Sequence, residues 1–128
     1  MRLIQTAALV VVLLGLTAFN SQAKQNLTTE VFAKDIRPFF QEYCIRCHGP
    51  EKQKAKRRFD QLTYPIADDD ALVDFQDALD LLNLAEMPPE DEKQPSEEEL
   101  SKSVAWLTAA IADVQAKRDS TGGETVLR

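Results

Sequence analysis

At 128 residues the chain is the size of one domain, which excludes a multidomain enzyme for this chain alone. Apolar residues at 44% and charged residues at 28% describe a soluble globular protein able to build a modest core. The net charge of -6 leaves no broad basic surface of the kind that nucleic acid or an anionic membrane requires, so neither is expected as a partner.

In chain order, Arg2 precedes an apolar run from Leu3 to Phe19, broken only by Gln5, Thr6, Gly15 and Thr17, and the sequence turns polar at Asn20. A charged start, a short apolar stretch and small residues at Ser21 and Ala23 read as a secretory signal peptide over residues 1–23, cut after Ala23. A retained N-terminal anchor is the alternative, since a run of this length lies at the short end of what spans a bilayer. Cleavage removes one base, Arg2, and no acid, so the exported part is more acidic still, at -7. Periplasmic or secreted placement also means that a thiol pair is either oxidised or protected by something else.

After a polar lead-in over residues 24–30, Phe32, Ile36, Phe39 and Tyr43 share one helical face, and this helix should stop by Cys44. Pro38 lies inside the pattern, where it must kink the helix or divide it in two. Gly49 to Asp60 reads as a polar loop holding Lys52, Lys54, Lys56, Arg57 and Arg58. A second helix is predicted from about Asp68 to Ala85, with Leu72, Phe75, Leu79 and Leu82 on one stripe and three aspartates at its N-terminus. Pro88 and Pro89 end it. The last helix opens with Ser96 and Glu99 in a capping-box pattern and carries Leu100, Val104, Leu107, Ile111 and Val114 to about Lys117. Residues 118–128 are expected to be a flexible tail or the start of a linker to a downstream domain. There is no internal repeat and no convincing strand run longer than Leu62 to Ile66.

Chemistry concentrates at Cys44-Ile45-Arg46-Cys47-His48. Two cysteines and one histidine are one ligand short of a four-ligand structural zinc site. CxxCH is the attachment sequence for c-type haem: two thiols three residues apart reach the two vinyl groups of one porphyrin, and the next residue supplies the proximal ligand, here His48. A thiol-oxidoreductase centre, a structural Cys44–Cys47 disulfide with an incidental histidine, and a metal site shared with a partner chain are the alternatives. The first of these needs an exposed, low-pKa cysteine in a strand-then-helix setting, and no such pattern surrounds Cys44.

Once the signal is removed, Met87 is the only methionine and His48 the only histidine. Met87 precedes Pro88, which biases it towards extended backbone, so its thioether is presented on a stiff loop beyond the helix and becomes the candidate sixth ligand. Core filling is the competing use of a methionine. Filling both axial positions leaves one-electron transfer rather than dioxygen or peroxide chemistry. The cationic run after the attachment site reads first as a solvated loop, with pairing to haem propionates or steering of an acidic partner as the alternatives. Trp106 is expected against Phe32, Phe39 or Tyr43 rather than at the haem.

Ile36-Arg37-Pro38, Cys44-Ile45-Arg46-Cys47-His48-Gly49, Glu86-Met87-Pro88-Pro89 and Val104-Ala105-Trp106-Leu107 together resemble the planctomycete-type cytochrome c domain, from Val31 to about Ala112. That resemblance implies an all-α, class I cytochrome c-like fold over residues 24–117, with three main helices around one covalently attached haem c. It also implies attachment at Cys44 and Cys47, iron ligation by His48 and Met87, and no catalytic residue of the chain's own. A redox protein partner or a fused downstream domain would follow, with no membrane contact apart from the signal or anchor segment. The chain departs from the family in lacking the glycine pair usual in the loop after the attachment site, where Lys56-Arg57-Arg58 stands instead. A haem-based sensor with a labile Met87, and a haem-free domain with a Cys44–Cys47 disulfide, are the other functional readings.

Overall fold

The structure is a computed structural model that describes residues 25–120, so the signal-peptide segment and residues 121–128 lie outside the described residues. Helix α1 covers 29–43 in three parts: an α-helical turn Thr29–Val31, a π-helical turn Phe32–Ile36 and an α-helix Arg37–Tyr43. Thr28 caps it, its hydroxyl accepting from the Val31 N–H at 3.1 Å. As expected, the helix is divided at Pro38: α-helical geometry restarts at Arg37 with Pro38 in its first turn, after a π-helical turn. The turn just before the proline widens, the Arg37 N–H donating to the Phe32 carbonyl five residues back. A proline has no N–H to give and its ring crowds the carbonyl four residues earlier; a π turn relieves that crowding.

Helix α2 spans Asp69–Asn83. Its cap is Asp68, whose carboxylate accepts from the Ala71 N–H at 2.8 Å, with Asp69 and Asp70 at the positive end of the helix dipole. At the far end Ala85 takes a left-handed conformation (φ 55°), the Glu86 N–H donates to the Leu81 carbonyl at 3.0 Å, and the Ala85 N–H to Leu82 at 3.1 Å. This is a Schellman ending, and it turns the chain sharply toward Met87. Helix α3 spans Glu97–Ser120. It runs past Lys117, so residues 118–120 of the expected tail are helical. The capping box is present, with Ser96 N–H to Glu99 Oε2 at 2.9 Å and Glu99 N–H to Ser96 Oγ at 3.2 Å.

Among the described residues there is no strand, only an isolated bridge between His48 and Gln53, and no helix long and apolar enough to cross a membrane. α2 packs along α3, and α1 closes the third side. The core between them is aromatic. Trp106 contacts Phe32 (ring centroids 5.5 Å apart), Tyr64 (5.1 Å) and Phe75 (6.4 Å). Phe75 meets Phe40, Phe40 meets Phe59, and Phe59 meets the imidazole of His48 at 4.9 Å. Ring contacts of this kind add about 0.5 to 1.5 kcal/mol beyond simple burial, so the run ties the site to the centre of the fold. Trp106 therefore lies on Phe32, as expected, with Tyr64 and Phe75 as its other ring neighbours. Its indole N–H is buried and finds no hydrogen-bond partner among the described residues.

Candidate haem site

Helix α1 ends on the attachment motif. The Cys44 and Ile45 N–H groups both donate to the Phe40 carbonyl, at 2.9 and 3.0 Å, and the Cys47 and His48 N–H groups both donate to the Cys44 carbonyl, at 3.1 and 2.9 Å. The five residues Cys44 to His48 are thereby wound into one tight turn that brings both thiols and the imidazole to one cavity. Gly49 makes this closure sterically available: a Cβ there would lie 2.4 Å from the Ile45 carbonyl oxygen and 2.7 Å from its Cγ2.

The polar stretch that follows is folded back against the turn. The Lys54 N–H donates to the Cys47 carbonyl at 2.9 Å and the Phe59 N–H to the His48 carbonyl at 2.9 Å. Between them Ala55 (φ 52°) and Lys56 (φ 59°) are both left-handed, where glycine is the residue that adopts the conformation freely. This backbone demand sits beside the point where the usual glycine pair is missing. It aims the Lys54 carbonyl at His48 Nδ1, 2.9 Å away. A carbonyl only accepts, so Nδ1 carries the proton and Nε2 is left with its lone pair free for a metal. Burial holds the imidazole pKa below its ordinary value, against the opposing pull of the Lys54 carbonyl, so the ring is neutral near pH 7.

Cys44, Cys47, His48 and Met87 all line one cavity of about 460 Å³, walled largely by apolar groups including Phe59, Ala78, Leu81, Leu82 and Pro88. Its size falls in the range of ligand-binding cavities. Both cysteines are free thiols, so the disulfide reading finds no support in this geometry. Burial pushes the Cys44 thiol up to about 12, the reverse of the low-pKa thiolate that a thiol oxidoreductase needs.

Met87 is half-buried and its loop is tethered to the attachment turn. The Gln94 side-chain amide donates to the Pro89 carbonyl at 2.7 Å and to Pro88 at 3.2 Å; Arg46 pairs with Glu92 and Lys93 with Glu42, each at 2.5 Å. Sequence reasoning missed these supports, and it missed the Lys54 carbonyl. A backbone acceptor has no residue signature, and a glutamine after two prolines is too common a pattern to single out. The cationic run divides. Lys52, Lys54 and Lys56 are exposed, as a solvated loop would have them. Arg57 instead reaches both Asp74, at 2.6 Å, and Asp77 on α2, while Arg58 binds Asp60 with two bonds of 2.7 and 2.6 Å.

The donor set fits haem c: two free thiols at the attachment spacing, an imidazole locked with Nε2 available, and a thioether on the same largely apolar cavity. Among the described residues no cluster of three or more His, Cys, Asp or Glu side chains offers a rival metal site. An all-α fold with this site defines a cytochrome c-like domain. Residues 44–91, from Cys44 to just past the prolines, match the family described as Planctomycete cytochrome C, which supports a planctomycete-type cytochrome c domain over that stretch. A match to a cytochrome c family implies haem binding and points to haem-based electron transfer. No curated protein and no solved structure matches the chain.

Proposed function

We propose that this is an exported, mono-haem c-type cytochrome module for one-electron transfer, with Cys44 and Cys47 as the covalent attachment points and His48 and Met87 as the axial ligands. The observation that carries the reading is the convergence of all four side chains on one cavity, with His48 Nδ1 committed to the Lys54 carbonyl. When bound, haem supplies a single electron exchanged between ferric and ferrous iron, and His/Met ligation favours a higher potential than bis-His ligation. The chain's own residues do the rest. The Cys44–His48 turn would hold the two attaching sulfurs and the ligand nitrogen in a single relative orientation. The Lys54 carbonyl holds the His48 ring in the Nδ1–H tautomer, and Gln94 fixes the loop that presents the Met87 thioether. Phe59, Leu81, Leu82 and Pro88 line the cavity and would keep water from a bound haem. If His48 and Met87 both ligate the iron, dioxygen and peroxide would find no place on it, and the module would pass electrons to a redox protein or to a fused domain.

Intact mass of protein exported from a host with a cytochrome c maturation system tests this. The expected species begins at Lys24 and carries one haem that survives acid-acetone extraction, and the Cys44→Ser/Cys47→Ser double variant carries none. Haem that extracts completely overturns the assignment.

A further inference from the structure

Arg57 belongs to the cavity wall but not to the ligand set, and its contacts point in two directions. Its guanidinium forks onto two carboxylates one turn apart on α2, Asp74 at 2.6 Å and Asp77. Its backbone N–H donates to the Lys54 carbonyl at 3.1 Å, the same oxygen that accepts from His48 Nδ1 at 2.9 Å. The turn between the two residues contains the left-handed Ala55 and Lys56, a conformation that does not hold itself for L-residues. The Lys54 N–H bond to the Cys47 carbonyl holds its start, and the α2 carboxylates gripping Arg57 are the side-chain contact that holds its end.

Resting on the haem reading above, we propose that Arg57 is a positioning residue for the iron ligand His48. The Asp74–Arg57–Asp77 clamp fastens the 54–57 turn to α2 and so fixes the carbonyl that orients the imidazole. A bidentate, charge-assisted clamp suits this task because two fixed bonds determine direction as well as distance. Arg57 and Asp77 also line the cavity, so direct contact between Arg57 and the haem is the competing explanation.

The two explanations separate in the ferrous holoprotein, where exchange of the His48 Nδ1 proton with solvent can be followed by nitrogen-15 NMR. The buried Trp106 indole N–H, outside the cavity lining, reports opening of the fold in the same sample. Asp74→Ala/Asp77→Ala leaves Arg57 in place but removes its anchor. It should speed His48 Nδ1 exchange by about tenfold or more while leaving Trp106 unchanged, since only a local opening is made easier. Arg57→Gln should do the same, and Arg57→Lys, which keeps a charge but not the fork, should restore part of the protection. Unchanged His48 exchange in the aspartate double variant overturns the proposal in favour of direct contact. Equal acceleration of both protons overturns it as well, because Arg57 would then support the fold and not the ligand. Failure of the haem reading itself is seen separately and earlier, as an unsubstituted protein without covalent haem.

Discussion

Lys56 is exposed and left-handed, with φ 59°, and follows Ala55 at φ 52°. For an L-residue this conformation costs about 1 to 2 kcal/mol, because Cβ crowds the following carbonyl. Glycine escapes that cost but gives up about 0.4 to 1 kcal/mol through the greater freedom of its unfolded chain. The net gain for Lys56→Gly should be about 0.5 to 1 kcal/mol. Lys56→Ala is the comparison that isolates the backbone: it removes the same charge and stem but keeps Cβ, so it should gain nothing. Adding Ala55→Gly should bring the total to about 1 to 2 kcal/mol, and about 4 to 8 °C of melting temperature per kcal/mol for a domain of this size. Urea unfolding of the holoprotein, with equal slopes for all variants, measures the differences. Ala112→Gly, on the exposed side of α3, supplies the opposite sign, a loss of about 1 kcal/mol. If Lys56→Gly is no more stable than Lys56→Ala, the turn is not left-handed at that residue. The argument that the clamp at Arg57 holds a strained segment then fails with it.

Met87→Ala should open the ferrous iron to carbon monoxide and abolish the sulfur-to-iron band of the ferric spectrum with the fold retained; an unchanged spectrum would mean that the thioether only packs. Gly49→Ala should cost about 1 to 3 kcal/mol in denaturant unfolding, since its Cβ would meet the Ile45 carbonyl at 2.4 Å and backbone must move to admit it. Glu99 is held below the ordinary carboxylate range first by the Ser96 N–H, then by the Ser96 hydroxyl and Tyr43. Its contribution is therefore complete above the unfolded carboxylate pKa and lost as pH falls through the lower folded value. The stability gap between the native protein and Glu99→Gln should accordingly close on acidification, and a gap that stays constant down to about pH 2 would remove the capping box from the account.

What was legible in the sequence follows the reach of each interaction along the chain. Helix ends set by contacts three or four residues apart, such as Ser96 with Glu99 and Asp68 with Ala71, were readable because both partners sit in one window. Stripes were readable to within one residue. On α2, Leu72, Phe75 and Leu82 are buried, but Ala78 takes the central place that was given to Leu79, which stays half-buried. On α3 the buried line runs through Ser103, Trp106, Leu107, Ala110 and Ile111, while Leu100, Val104 and Val114 lie at its edge. Small residues at 103 and 110 around a tryptophan mark where a neighbouring helix comes close, a signal that counting large apolar side chains overlooks. The four proposed site residues were likewise legible because their chemistry is rare in this chain.

The segment from Gly49 to Asp60 was not legible, and the reason bears on how the site works. Its composition is that of a solvated loop, yet it carries the acceptor for His48 Nδ1, the buried Phe59 against the imidazole, and the arginine that grips α2. None of these roles depends on local periodicity. Lys54 acts through its carbonyl, so its side-chain identity says nothing of the role, and Arg57 finds its partners 17 and 20 residues away. Order in such a loop comes from backbone bonds to the attachment turn, Lys54 to Cys47 and Phe59 to His48. The orientation of the His48 imidazole is thus borrowed from a segment that looks flexible in sequence. A substitution there that leaves charge and hydrophobicity unchanged should still disturb the imidazole whenever it alters backbone φ or the Arg57 clamp.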